Sequence, residues 1–195
     1  MSRAWPVPDI EPDGTLEENA RRILAVKMGE FYSYAPIVHA EDEVEALHNL
    51  RIAAKRLRYT LELFRVVFGP EGERQIERVK AIQEELGQVH DHDVRTSLIE
   101  DELTILAREL RAGGAPAKDS APQAAGGGEA RALGLASDAE SDANPAVGLH
   151  ALLERQRAGR TAHYRAFVEL WDRFATEGMR ADLAVLSATP LGRAA

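Results

Sequence analysis

Leu47, Leu50, Ala54, Leu57, Leu61, Phe64 and Phe68 follow one another at alternating steps of three and four residues. That spacing is the seam of an α-helix packed against other helices. It does not suit a strand, whose buried face repeats every second residue. From Thr15 to about Arg111 the helical period recurs among strong helix formers, and no convincing alternating stretch interrupts it. The chain is therefore expected to be all-α: an antiparallel bundle of four to five long helices, with a disordered Ala/Gly-rich loop before the last helix.

Punctuation residues divide the bundle. Thr15 with Glu18 has the form of a capping box, so a first helix is expected from Thr15 to Ala35, stopping before Pro36. A second should start near Glu41 and end at Gly69-Pro70. A third should run from Glu71 to Leu86, closed by Gly87. A fourth should use Asp91 as its N-cap and continue to Arg111. Residues 113–146 are dominated by Ala, Gly, Ser, Asp and Pro and read as a disordered low-complexity loop. The segments expected are thus a flexible N-terminus at 1–14, helices 1 to 4 at 15–112, that loop, a closing helix of the same domain at 147–176 and a tail at 177–195. From Met179 the tail offers material for one short turn or helix.

Net charge is −8, and the chain lacks cysteine, which removes disulfides and thiolate metal sites and favours a reducing compartment, the cytoplasm. The proline-broken N-terminus does not resemble a signal peptide, and no run of apolar residues is long enough to span a bilayer. An acidic total opposes general attraction to polyanions, so any anion site must be local.

Such a site is visible in "HNLRIAAKRLRY", residues 48–59, where four cations and a histidine stand in a stretch free of acids from Glu45 to Glu62. At about 100° per residue, His48, Arg51, Lys55 and Arg58 form a stripe roughly a quarter turn from the core seam. The stripe is about 15 Å long, enough for several anionic centres of an extended ligand. Arg56 points elsewhere on this wheel. A merely solvated basic face would normally carry acids at three- or four-residue spacings along its length, and between Glu45 and Glu62 there is none. In the last helix Leu153, Arg157, Arg160, Tyr164, Phe167, Trp171 and Phe174 keep the same spacing, with arginines at two seam positions. Either that end overhangs the core or the arginines line a cavity holding water or an anion. In the third helix Ile76, Val79 and Leu86 give an apolar side, with Gln83 in line and Lys80 beside it.

"HNLRIAAKRLRYTLELF" followed by "IERVKAIQEELGQVHDHDV" resembles the CHAD family, the conserved histidine α-helical domain. The resemblance is carried by the pattern of His48, Arg51, Lys55, Arg56 and Arg58, then Lys80, Gln83 and Gly87, then Asp91. "FVELWDRF" is similar to the closing helix of such domains. The resemblance implies a helical module that binds inorganic polyphosphate in a basic groove, in the cytoplasm and at polyphosphate granules. Carried over by position, binding falls to His48, Arg51, Lys55, Arg56 and Arg58, with Lys80 nearby. Arg157 and Arg160 join this set from the last helix on their seam positions. The family usually has two such bundles in tandem, and this chain has length for one, so a homodimer is a way to restore the pair.

Two other readings come from different classes. Histidine phosphotransfer proteins are also helical bundles with a His near a cation. They need small residues one turn after the histidine, whereas Ile52, Ala53 and Ala54 follow Arg51 here. "HDHD" at 90–93 suggests a metal site, but histidines two apart on a helix diverge. Asp91 and Asp93 are better read as capping a helix, with His90 facing the groove, while His39, His150 and His163 read as structural or solvated. A nucleic-acid partner is disfavoured by net charge and by the lack of exposed aromatics among the cations. No nucleotide fingerprint occurs. The expectation is a binding module, not an enzyme, with no cofactor and no membrane or nucleic-acid partner.

Overall fold

The computed structural model describes residues 3–8, 10–113 and 145–188, and every regular element among them is helical. The elements are α1 (Leu16–Tyr32), a 3-10 turn (Ala35–Ile37), α2 (Val44–Leu63), α3 (Arg65–Gly113), α4 (Pro145–Thr176) and α5 (Met179–Ser187). The backbone divides into two compact units, one of Met1–Asp93 with Ala158–Ala195 and one of Val94–Arg157. Apart from residues 113, 145 and 146, which are helical, the Ala/Gly-rich loop expected at 113–146 lies outside the described residues.

α1 begins as its residues dictate. The Thr15 hydroxyl accepts from the Glu18 amide at 3.2 Å, and the Glu18 carboxylate accepts from the Thr15 amide at 2.9 Å, closing a capping box. Those two bonds hold the Glu18 carboxyl below the usual carboxylate range. The helix ends three residues earlier than expected, at Tyr32, because the chain turns into the 3-10 segment that holds Pro36. Ahead of α1, Asn19 bonds both the amide and the carbonyl of Glu11, and Lys27 donates to the Trp5 carbonyl.

α2 starts at Val44, not Glu41, because Glu41 is engaged elsewhere: its carbonyl accepts from Arg160 Nη2 at 2.9 Å, and its carboxylate accepts from Arg160 and Thr161. It ends at Leu63. A step at Phe64 leads into α3, and the rings of Phe64 and Phe68 meet edge to face with centroids 6.5 Å apart. The expected break at Gly69-Pro70 is real but lies within α3, where Gly69 takes φ 57° and ψ −150°, a conformation reserved for glycine.

The expected division at Gly87 and Asp91 is corrected: α3 passes through both. Gly87 has no positive φ, and a glycine inside a helix costs only about 1 kcal/mol, less than a terminus that would strand its end groups. Asp91 is therefore an exposed mid-helix residue and Asp93 an ion-pair partner; neither caps a helix.

The core of the first unit is the seam read from the sequence. Leu47, Leu50, Leu57 and Leu61 of α2 are buried against Val79, Ile82, Leu86 and Val89 of α3, with Phe167 and Trp171 of α4 and Leu24 and Phe31 of α1. The tail contributes too, since Met179, Leu183 and Leu186 of α5 are buried and Arg21 donates to the Leu186 carbonyl at 2.6 Å.

One charge lies inside this core. Glu30 is 1 % exposed and pairs with Arg56 of α2 and with Lys27 at 3.5 Å. Removing one partner of a buried pair strands the other. Arg56→Ala should therefore lower stability to urea by about 3 kcal/mol. A cost near that of an ordinary surface substitution would show that Glu30 is solvated instead.

Candidate functional site

The cation stripe of α2 meets α3 in a defined antiparallel register. His48 Nδ1 lies 3.2 Å from His90 Nδ1, with ring centroids 4.4 Å apart. Three residues on, Arg51 Nε lies 3.9 Å from where a Cβ on Gly87 would stand. A step of three along α2 is thus matched by a step of three back along α3. Continuing by the 4-3 steps that both helices share puts Lys55 level with Gln83 and Arg58 level with Lys80. The two sides of this seam read His, Arg, Lys, Arg against His, Gly, Gln, Lys, with no carboxylate at any of the eight positions.

The local environment of each group differs. His48 is half-buried, and its pKa is lowered by burial first, then by His90 and Arg51; Glu45 opposes the shift. Arg51 and Lys80 form neither an ion pair nor a hydrogen bond among the described residues. Lys55 is exposed, and its ammonium lies 5.6 Å from the Tyr59 ring centroid. The Arg58 guanidinium lies 5.0 Å from the centroid of the same ring and reaches Glu62 only at 3.7 Å. Its Nε is buried without a hydrogen-bond partner among the described residues, and so is Gln83 Oε1. Unmet polar atoms of this kind cost about 1–3 kcal/mol each, and a ligand's oxygens or ordered water would recover that.

The other candidates are already engaged. Arg56 is turned to α1 and pairs with Glu30. Arg160 donates from Nε to Asp93 at 2.5 Å and from its other nitrogens to the Glu41 carboxylate and carbonyl, so carboxylates offset the charge at this seam position. Arg157 belongs to the second unit, where it is exposed and pairs with Glu100 at 2.9 Å and Glu154 at 3.0 Å; the Glu100 bond, foremost, raises its pKa further. Arg65 pairs with Glu73 at 2.5 Å. The remaining histidines of the first unit also have partners: His39 meets Asp172 at 3.3 Å, His163 meets Glu85 at 2.8 Å, and His92 stacks on His163. No group of three or more potential metal ligands occurs among the described residues.

Sequence spacing missed Glu30, Glu41 and Asp93 as the acids that take up Arg56 and Arg160. Glu30 does stand out as a carboxylate within "ILAVKMGEFY", but nothing within one helix says which residue of another it meets.

A CHAD-domain family model matches residues 3–100, half of the 195-residue chain. The chain belongs to the CHAD family. The match contains all of α1 and α2 and the whole α2–α3 seam, and it ends before α4, so the similarity of "FVELWDRF" to a CHAD closing helix lies outside it. No curated protein and no solved structure matches the chain. CHAD domains are a polyphosphate-binding family and in general binding modules. No helix among the described residues is long and apolar enough to cross a membrane.

The depressed His48 pKa has a consequence for stability. The folded state holds this proton less tightly than the unfolded chain does. The folded state is therefore penalised as pH falls below the ordinary histidine value of about 6.5, and the penalty levels off below the folded-state value. Between pH ~7.5 and ~5.5, His48→Asn should lose less stability than the parent, measured by urea titration at each pH. Equal losses would show that His48 is not held neutral by its surroundings.

Proposed function

We propose that this CHAD domain binds inorganic polyphosphate, or a polyanion of like spacing, along the α2–α3 seam, with His48, Arg51, Lys55, Arg58 and Lys80 as its contacts. The observation that carries the reading is selective pairing. Arg56, Arg157 and Arg160 are each held by carboxylates, whereas Arg51, Lys55 and Lys80 have no carboxylate partner among the described residues. Cations kept beside a core seam without counterions lose hydration and gain no pair, an arrangement that suits an external anion. Guanidinium forks fit phosphate oxygens two at a time, and Lys55 and Lys80 act as point charges.

The ligand chemistry follows from length and charge. A stripe about 15 Å long exceeds one phosphate and suits a linear chain of them. The aromatic content of the stripe is one tyrosine ring, Tyr59, with Lys55 and Arg58 beside it, and a single ring does not stack successive bases. A second copy of the chain would supply the second bundle that the family resemblance implies. A polyphosphate-dependent rise in mass by light scattering would report that pairing.

Affinity should fall steeply as salt is raised, since each neutralised phosphate releases counterions. In a titration with polyphosphate against duplex DNA as competitor, the parent should prefer polyphosphate. Arg51→Ala and Arg58→Ala should each weaken binding at least tenfold, about 1.4 kcal/mol for a lost charge-assisted contact. Gly87→Glu, which sets a carboxylate beside Arg51, should do the same from the opposite helix. Preference for DNA, or parent-like binding by both arginine variants, would contradict the reading.

A further inference from the structure

The closest polar contact across the seam is between two groups that titrate. With Nδ1 of His48 and Nδ1 of His90 3.2 Å apart, one ring must present an N–H and the other a lone pair. The donor ring then carries its free lone pair on Nε2. A proton arriving from solvent at that Nε2 makes the donor an imidazolium and leaves the Nδ1–H···Nδ1 bond in place, now charge-assisted. A second proton has only the accepting Nδ1 to go to, which would set two N–H groups face to face. The geometry therefore favours one proton per pair and resists two.

The surroundings set when that proton is taken. Among the described residues, the charged groups acting on His48 are His90 from α3 and Arg51 and Glu45 from α2. Burial first, then His90 and Arg51, lower the His48 pKa in the ligand-free protein. A polyanion lying on Arg51 cancels that repulsion and adds attraction of its own.

We propose that the His48–His90 pair is a one-proton device that charges when polyphosphate binds, coupling the affinity of the seam to pH. This rests on the polyphosphate reading of the same seam and adds its regulation. Free protein presents Arg51, Lys55, Arg58 and Lys80 to the ligand; the loaded protein presents these and one further positive charge at the His48 end. The linkage fixes the sign. Affinity rises as pH falls through the pKa of the loaded pair, by up to about tenfold per pH unit for one proton, and stops rising below the pKa of the free pair.

The test is calorimetric titration of the full chain with long-chain polyphosphate, whose internal units keep one charge each across this range, in two buffers of unlike ionisation enthalpy at neutral pH. The expected result is net uptake approaching one proton per chain bound, lost in both His48→Asn and His90→Asn. Affinity in those variants should vary much less than in the parent between pH ~8 and ~6. Tight binding by the parent with no net uptake, or uptake retained in both variants, overturns the proposal and leaves the polyphosphate reading standing. Absence of polyphosphate binding at any pH overturns both. The parent measurement decides the matter even if a variant fails to fold.

Discussion

The antiparallel register of α2 against α3 is the constraint on which the remaining features depend. Apolar residues at matched 3-4 spacing, Leu47, Leu50, Leu57 and Leu61 facing Val79, Ile82, Leu86 and Val89, set the rotation of both helices. Each such side chain contributes about 1.5–3 kcal/mol on full burial. Four from each helix outweigh any preference of a few cations for deeper solvation. The cations are therefore placed by the seam, one position around the helix from it. His48 against His90 and Arg51 against Gly87 mark the register there.

Within that frame, counterions divide the basic residues into two groups. Arg56, Arg160 and Arg157 meet acids within ion-pair distance and serve the fold of their own unit. Among the described residues Arg51, Lys55 and Lys80 of the α2–α3 stripe are left without them and Arg58 meets Glu62 only at 3.7 Å, although the chain as a whole has an excess of eight acids. Screening reconciles the two facts: at physiological salt, exposed charges fade over about 8 Å, so a phosphate on the stripe responds to its nearest neighbours more than to net charge. An electrostatic account of this protein has to be local.

Much of this was legible in the sequence, for a definite reason. Helical period and capping chemistry are local, so the α2 core seam, the Thr15–Glu18 capping box, the aromatic seam of α4 and the cation stripe could all be read from spacing alone. The CHAD resemblance, read from His48 to Asp91, is supported by the family match over residues 3–100. What spacing could not supply was the partner of each charge. Arg160 looked available because its acids, Glu41 and Asp93, are 119 and 67 residues away. Arg56 entered the expected site through family pattern, while its own wheel position had already pointed away from the stripe, toward what proved to be Glu30. The reading of Gly87 as a helix stop failed because a glycine inside a helix and one that ends it look alike in a sequence.

Arg51, Lys55, Arg58 and Lys80 of the α2–α3 seam should hold the ligand, and the arginines bound by Glu30, Glu41, Asp93, Glu100 and Glu154 should not. Side-chain NMR of arginine and lysine during polyphosphate addition tests it directly. Arg58 Nε, buried and without a hydrogen-bond partner among the described residues, should shift together with Arg51 Nε and the ammonium groups of Lys55 and Lys80, while Arg56, Arg157 and Arg160 stay in place. Shifts concentrated on Arg157 and Arg160, with the α2 stripe unmoved, would contradict it.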